Sequence, residues 1–278
     1  DDFQGIYDGN GHSISGLYIK AQFYYNGLFG SCEDAIIKNL TLKNVYLEGS
    51  KYDNKDYDGY NVYSSWILGC VVGKAKSSTF TNVRVENALM EIAHKNYTPM
   101  LGGLIGNIEG SGNLKDCSFT GNITVNLSFN DNIYIGGLAG YIDEIHMTNC
   151  YTGKGKIYIN DDLAKGKEGK STRYKYEVGG FIGHYEEPNS SSSIMVEECT
   201  NNIDIETKIN YLIVPIKAFS FSEEMPYLKY CTNFGSIKFY QDYGVVGLTH
   251  RFIKAEHCAS YGKYEVGDNV PIHLLGWR

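Results

Sequence analysis

The cysteines are the side chains of this sequence with the greatest capacity for chemistry, because a thiolate binds metals and attacks electrophiles. There are seven, and no two have the C-x-x-C spacing of a zinc site. Five of them recur at one place in successive sequence repeats, where Leu40 and Val83 hold the same position in the first two copies. A position that accepts Cys, Leu or Val requires a small apolar side chain. We therefore predict a column of buried free thiols, with neither a metal site nor a disulfide network.

The segment from Asn54 to Gly59 carries the alternating oxygen ligands and the glycine of a calcium loop. Its candidate ligands are Asn54, Asp56 and Asp58. The position six beyond Gly59, where such a loop has a bidentate Glu, is Ser65, so the pattern is incomplete. We expect no cofactor, and Ca²⁺ at these three residues is the alternative.

Carboxylates are the other candidates for chemistry. Adjacent pairs occur at Asp161/Asp162, Glu186/Glu187, Glu197/Glu198 and Glu223/Glu224. A glycoside hydrolase needs two carboxylates that converge on one face, whereas neighbours in a strand point to opposite faces. Most of these pairs fall in loops or beside inserts, so we interpret them as solvated charge. No His-Glu-x-x-His motif of a metalloprotease occurs. We predict that the chain is not an enzyme; an acidic cluster on one strand face would favour a carbohydrate-active enzyme.

These candidate residues belong to a repeat. Its anchors are Leu40, Val83, Cys117, Cys150, Cys199, Cys231 and Cys258. Three residues before each anchor stands an apolar residue: Ile37, Phe80, Leu114, Met147, Val196, Leu228 or Ala255. After each anchor comes an apolar pair with one residue between its members: Val45/Leu47, Ala88/Met90, Ile123/Val125, Ile157/Ile159, Ile203/Ile205, Ile237/Phe239 and Tyr264/Val266. This alternation indicates a strand with one buried face.

Turn residues and glycine-rich strands complete the repeat. Asn or Gly lies between several anchors and their apolar pairs, as at Asn44, Gly121, Gly155 and Gly235, where we expect a corner with positive φ. A glycine-rich strand precedes most anchors and is clearest at residues 100–106. Each unit of roughly 33 residues therefore holds about three short strands, which fits a parallel β-helix or a propeller.

The recurrent cysteine favours the β-helix, because stacked coils place identical residues in a ladder. We predict an all-β fold: a right-handed parallel β-helix, or solenoid, of about seven coils, the hand following from the general crossover rule. The chain is then a single repeat domain, residues 1–278. Residues 1–49 form the N-terminal coil and cap, residues 50–205 the regular coils, and residues 206–278 degenerate C-terminal coils.

A family resemblance rests on three stretches. Residues 3–17 read FQGIYDGNGHSISGL, residues 27–30 read GLFG, and residues 37–40 read IKNL. This opening resembles the GLUG-motif proteins, whose repeats are built on Gly-Leu-x-Gly strands. The resemblance implies a right-handed β-helix, no catalytic residues in the repeats, and a bacterial, adhesin-like protein of the cell surface or a secreted one.

Charge and hydropathy limit the classes of partner that the chain can have. The net charge of -7 argues against nucleic acid, which requires a basic surface. No run approaches the length of a membrane-spanning helix, so we predict no membrane span. Residue 1 is Asp, so we interpret the chain as a processed or trimmed one and draw nothing from the lack of a signal peptide.

The longest inserts share one place in the repeat, between the apolar pair and the next glycine-rich strand, so we expect them along one edge. They carry the tyrosines Tyr52, Tyr57, Tyr60, Tyr63, Tyr97, Tyr174, Tyr176 and Tyr211. Exposed tyrosine offers rigid, amphipathic contact area for proteins or sugar rings. We therefore predict a non-enzymatic extracellular adhesion or recognition module that binds a host or microbial glycan or surface protein. The alternatives are a polysaccharide lyase or hydrolase, a passive stalk, and rings that only cover the coil edge.

Overall fold

A computed structural model gives the architecture of the chain. It describes residues 2–21, 23–49, 66–94, 99–127, 133–160, 176–186, 195–208, 214–217, 227–239, 244–247, 255–266 and 272–273. These residues form strands, bends and turns without helix, as the sequence predicts. In this part of the chain there is accordingly no helix with the length and hydropathy to cross a bilayer.

The strands are short and follow one another closely. Those before residue 95 are β1 (Ile6–Asp8), β2 (Ser13–Ser15), β3 (Tyr18–Lys20), β4 (Tyr25–Asn26), β5 (Phe29–Glu33), β6 (Ile36–Lys43), β7 (Tyr46–Gly49), β8 (Ile67–Gly69), β9 (Val72–Lys76) and β10 (Thr79–His94). The central ones are β11 (Met100–Gly102), β12 (Ile105–Glu109), β13 (Gly112–Lys115), β14 (Ser118–Leu127), β15 (Ile133–Gly136), β16 (Ala139–Ile142), β17 (Ile145–Thr148), β18 (Tyr151–Asn160), β19 (Tyr176–Gly179) and β20 (Ile182–Tyr185). The last are β21 (Met195–Glu197), β22 (Thr200–Lys208), β23 (Val214–Lys217), β24 (Tyr227–Lys229), β25 (Thr232–Asn233), β26 (Ile237–Phe239), β27 (Gly244–Gly247), β28 (Ala255–Glu256), β29 (Ala259–Ser260), β30 (Tyr264–Glu265) and β31 (Ile272–His273).

Within the described residues these strands form three sheets, and every pairing between them is parallel. We call them the glycine sheet, the polar sheet and the broad sheet. The glycine sheet has the order β31-β27-β23-β19-β15-β11-β8-β4, and the polar sheet has the order β20-β16-β12-β9-β5. The broad sheet contains the remaining strands. Each strand pairs with the equivalent strand one repeat away, which is compatible with a β-helix.

The predicted alignment of the apolar residues three before the anchors is confirmed at every step from unit to unit. The apolar residues three before the anchors face one another in a single row: Ile37, Phe80, Leu114, Met147, Val196, Leu228 and Ala255. The row begins one unit before the first anchor, because Tyr7 pairs with Ile37. The N-terminal residues therefore already form a unit of the stack.

The anchor residues line the interior, as predicted. Those from Leu40 to Cys231 are at most 2% exposed, whereas Cys258, in the last unit, is only half-buried. All seven cysteines are free, and the anchor cysteines direct their thiols at main-chain carbonyls. The Sγ of Cys150, for example, lies 3.5 Å from the oxygen of Leu114 and 3.4 Å from that of Thr148. The thiols thus act as small, weakly hydrogen-bonding core residues.

A corner that the sequence analysis missed precedes every anchor. The residue directly before each anchor has a positive φ, between 51° and 56°: Asn39, Asn82, Asp116, Asn149, Glu198, Tyr230 and His257. In the early units the side chains at this corner form an amide ladder. Asn39 donates from Nδ2 to Asp8 at 3.0 Å, and Asn82 donates to Asn39 at 3.0 Å. The left-handed conformation is therefore supported by bonds to the unit below.

The register of the later apolar pairs differs from the prediction at three steps. There the observed partners are Met90 with Ile123, Ile157 with Ile205, and Ile205 with Ile237, each two positions from those expected. The strand ladders contain irregularities, one of them between Val85 and Ala88. They change the number of residues between an anchor and its apolar pair. Because the side-chain period of a strand is two, a shift of two keeps the same face buried, and the pattern alone does not reveal it.

The role expected of two corner glycines is also corrected. Asn44 has the predicted positive φ of 52°. Gly155 and Gly235 do not have a positive φ; they are glycines because the main chain of the unit below lies against them. A Cβ on Gly235 would stand 2.1 Å from the carbonyl oxygen of Ile203, and one on Gly155 would stand 1.9 Å from that of Gly121. Close stacking, and not backbone conformation, therefore selects glycine there.

The difference in burial predicts the order in which the thiols react. A thiol reagent added to the native protein should modify Cys258 first, because it is only half-buried. The hydrogen bond with Cys231 and partial burial raise the pKa of Cys258, so this reaction should be slower than that of a free thiol. Unfolding should expose all seven thiols. Substitution C258A should remove the fast phase, and the control C117A should leave it unchanged. Intramolecular disulfides detected by mass spectrometry of the unreduced protein would contradict this assignment.

Candidate functional site

The predicted binding and metal residues fall almost entirely outside the described residues. These are Tyr52, Tyr57, Tyr60, Tyr63, Tyr97, Tyr174 and Tyr211, together with Asn54, Asp56 and Asp58. Tyr176 is the first residue of β19, where only its backbone is described. Among the described residues, no group of three or more His, Cys, Asp or Glu side chains is arranged to hold a metal ion. The tyrosine edge and the Ca²⁺ alternative thus stay predictions.

Five of the seven thiols are poor candidates for catalysis, whereas hydrogen bonds with Cys199 and Cys258 lower the pKa of the buried Cys231 thiol. Burial raises the pKa of Cys32 to about 11 and that of Cys70 to about 12. Burial also raises the pKa of Cys117, Cys150 and Cys199 well above the usual value. These thiols are protonated at neutral pH, so they lack the thiolate that a nucleophile or a metal ligand requires.

Among the described residues, a cluster of ionisable groups lies where the glycine sheet and the polar sheet meet. Glu177 on β19 and His184 on β20 are brought together by the tight bend between these strands. Tyr134 and Tyr141 lie one unit below, since Tyr134 pairs with Glu177 and Tyr141 pairs with His184. The repeat geometry thus stacks the imidazole on two phenol rings, whose centroids lie 4.6 Å and 4.9 Å from its own.

His184 bridges two carboxylates. Its Nδ1 contacts Glu177, whose side chain is 1% exposed, and its Nε2 lies 3.0 Å from Oε2 of Glu186. The hydroxyl of Tyr141 donates to the same oxygen of Glu186 at 3.0 Å. Burial lowers the pKa of His184, but the hydrogen bonds and negative charges of Glu177 and Glu186 outweigh burial and raise it. Burial and the same carboxylates raise the pKa of Tyr134 to about 12.

Three carboxylates occupy equivalent positions at the ends of polar-sheet strands: Glu109 is the last residue of β12, and Asp143 and Glu186 directly follow β16 and β20. Ile108 pairs with Ile142, and Ile142 pairs with Tyr185, so each acidic residue comes directly after a paired position. Burial, followed by the charges of neighbouring carboxylates, raises the pKa of the Asp143 carboxyl. Acidic side chains from adjacent units therefore converge on one strand face, which the sequence analysis named as the mark of an enzyme. Glu186, interpreted there as solvated charge beside an insert, is 57% exposed and also contacts His184 and Tyr141.

Exposed aromatic rings form two stacked pairs in the last units, in the short connections between strands of the broad sheet. Tyr230 stacks on His257 with centroids 5.0 Å apart and planes 8° apart. Phe234 stacks on Tyr261 at 5.3 Å and 17°. Phe234 is 50% exposed and Tyr261 is 69% exposed, although both are large rings. We call these four residues the aromatic platform.

Both surfaces carry a sequence signal that the analysis did not use. His184 directly follows the last glycine of its glycine-rich strand, and Tyr141, Asn107 and Lys74 follow the equivalent glycines. The platform residues occupy the positions one before and three after the anchors Cys231 and Cys258. Aligning these flanking positions between units would have revealed both columns.

A comparison with family models identifies one unit of this repeat. The GLUG motif model matches residues 98–125, which include the glycine-rich strand β11, strands β12 and β13, and the anchor Cys117. The chain therefore carries a GLUG motif at the place where the repeat is clearest, as the resemblance predicts. A search of curated proteins found no match to this chain.

The raised pKa of His184 predicts that stability falls as the pH rises. In the unfolded chain the imidazole titrates near 6.5, so the stabilisation from its two carboxylates is fully present below that pH and is lost as the pH rises through the folded pKa. The free energy of unfolding, measured with urea, should therefore decrease across this window. Substitution H184Q should flatten the decrease, and H12Q, at an exposed turn, should not. An unchanged pH profile in H184Q would show that the bridge contributes nothing.

Proposed function

We propose that this GLUG-motif protein is a non-enzymatic recognition module. Its scaffold would be a right-handed parallel β-helix of about seven coils, and it would act outside the cell, as part of a bacterial surface or secreted adhesin. Its partner would be a glycan or a surface protein of a host or another microbe. The sequence prediction places the contact in loops along one edge of the stack, including the predicted tyrosines, and the structure adds the aromatic platform as a second exposed surface.

The aromatic platform is the observation that carries this proposal. Large apolar side chains are normally buried, so stacked pairs that stay about half exposed or more, such as Phe234 and Tyr261, mark a site of interaction. The platform lies on a scaffold of in-register parallel strands, which holds it in place before a partner arrives and so lowers the entropic cost of binding. The groups with the greatest intrinsic reactivity, the anchor thiols, point into the interior instead. This division between an unreactive core and an exposed aromatic surface suits recognition better than catalysis.

General rules and the family resemblance support the proposed handedness of the solenoid and its proposed location outside the cell. Parallel strands joined by crossovers in one sheet are right-handed in about 98% of cases, which favours the right-handed solenoid. The net charge of -7 disfavours nucleic acid and anionic membranes as partners. Adhesion at a cell surface is what the GLUG resemblance implies.

Carbohydrate hydrolysis or lysis is a second candidate, favoured by the acidic face of the polar sheet. Asp143, with its raised pKa, has the character of a proton donor. Glu186, one unit away, is held by hydrogen bonds from His184 and Tyr141. Two carboxylates in unlike surroundings are the arrangement that a glycosidase uses as acid and as nucleophile or base.

The loop edge can be tested by replacing Tyr57, Tyr60 and Tyr174 together with alanine. We expect binding to cells or to arrayed glycans to fall sharply. The melting temperature should change little, because a surface substitution usually costs no more than about 0.5 kcal/mol. The matched triple phenylalanine variant, which keeps the rings, should retain binding. If the chain is a passive stalk, the parent chain should show no binding. If the alanine variant loses stability but keeps binding, the rings only cover the coil edge.

The two candidate functions differ in their response to D143N. A recognition module should release no reducing ends or unsaturated products from polysaccharides, with or without the substitution. A glycosidase or lyase should show turnover that D143N reduces by at least about a hundredfold, since general acid catalysis contributes that much. Turnover of this kind by the parent chain would overturn the non-enzymatic proposal.

A further inference from the structure

We propose that the outer face of the last units, formed by the aromatic platform and the pocket beside it, binds oligosaccharides built from neutral sugars. This inference rests on the proposed recognition function and deepens it by naming a ligand class and a place. The place differs from the predicted loop edge, because the platform residues lie in the short connections between strands of the broad sheet and not in the long inserts.

A buried polar ladder positions the platform. Thr152 contacts Asn201, Asn201 donates from Nδ2 to Oδ1 of Asn233 at 2.7 Å, and Asn233 donates to Oγ of Ser260 at 3.0 Å. The first three of these side chains are fully buried. Leaving a buried amide unpaired is costly, so the ladder fixes which residues of successive units face each other. Phe234 and Tyr261 directly follow the last two members of the ladder.

Two glycines let the platform rings stack. Gly235 follows Phe234, and Gly262 follows Tyr261. A Cβ on Gly262 would stand 1.9 Å from the carbonyl oxygen of Gly235, so only glycine allows the two main chains to approach this closely. The close approach brings the two rings into parallel stacking while most of their surface stays exposed. A flat apolar surface of this kind fits the C–H face of a sugar ring.

A polar pocket continues the same face beyond the rings. It encloses ≈ 180 Å³ and is lined by Lys156, Asp204, Glu206, Ser236, Lys238 and Lys263, among others. Ser236 and Lys263 lie two residues after Phe234 and Tyr261, in the same connections between strands. The pocket lining therefore begins two residues beyond each of these rings along the chain.

Hydrogen bonds to the main chain of the next unit hold two of the lining groups. Oδ1 of Asp204 accepts from the backbone N–H of Ser236 at 2.7 Å, and Oγ of Ser236 accepts from that of Lys263 at 3.1 Å. These bonds orient the serine hydroxyl and leave the second carboxylate oxygen of Asp204 for a ligand. The pocket thus presents donors and acceptors at fixed positions, as a polyhydroxylated ligand requires.

Charge balance in the pocket selects a neutral ligand. Lys156 pairs with Glu206 at 2.6 Å, and Lys238 pairs with Glu265 at 3.1 Å. The ammonium group of Lys263 and the carboxylate of Asp204 then offset each other, and the lining carries three positive and three negative groups in all. No excess of either sign is present to attract a phosphate, a uronate or an amine. Hydroxyl groups, which donate and accept, match such a surface.

The experiment is calorimetric titration of the full chain with short linear neutral hexose oligosaccharides, and with uronate oligomers of the same length. We expect the neutral oligomers to bind and the uronates to bind more weakly. Substitutions Y261A and K263A should each weaken binding by about tenfold or more, as loss of a central contact does. Y261F, which keeps the ring, should bind like the parent chain.

Tyr18 supplies the matched control. It is 54% exposed and stacks on Tyr46 at 5.5 Å and 17°, which is nearly the geometry of the Phe234–Tyr261 pair, but it lies at the opposite end of the chain. Y18A should therefore leave oligosaccharide binding unchanged. Equal affinity in Y261A and the parent, or preference for uronates, would overturn this inference. Retained binding to cells in that case would leave the proposed recognition function standing, whereas loss of all binding by the parent would remove both.

Discussion

Parallel hydrogen bonding between successive units is the interaction on which every other feature of this protein depends. It fixes the distance between equivalent residues at about 4.8 Å and prevents them from shifting along the strands. Only at that spacing do side chains of the same kind satisfy one another, as Asn201 and Asn233 do in the interior and Asn39 and Asn82 do at the corner. These ladders in turn penalise any change of register, so the backbone bonds and the side-chain bonds stabilise the same arrangement.

The sequence predicted the stack because one register signal is strictly kept. The apolar residue three before each anchor never fails, and the structure places all seven in one row. The corner before the anchor could be predicted only in part. Asn39 and Asn149 are natural residues for a positive φ, but Glu198 and Tyr230 are not, and they adopt it because the units on either side impose it. The later apolar pairs were misaligned by two positions, since that shift leaves burial unchanged.

The candidate sites were harder to predict, because each combines residues whose proximity depends on the fold. Glu177 and His184 belong to different sheets, and a sequence separation of seven gives no indication that their side chains meet. Glu109, Asp143 and Glu186 come from three units, and their convergence follows from register alone. The sequence analysis looked for paired carboxylates within one strand, where the alternation of side chains separates them. In a stacked fold the relevant neighbour is one repeat away, not one residue away.

The last units show why decay of a repeat motif is a poor measure of lost structure. Residues after 206 depart from the glycine-rich pattern, which led to their description as degenerate coils. The interior there is nevertheless continuous: Cys231 and Asn233 extend the thiol and amide ladders of the earlier units. What changes is the exterior, where the asparagines of the early corners give way to Tyr230 and His257, and where Phe234 and Tyr261 emerge. A scaffold whose register is set by ladders in its interior tolerates such changes on its surface. The units with the weakest motif can therefore change their exposed residues most readily and form a binding surface.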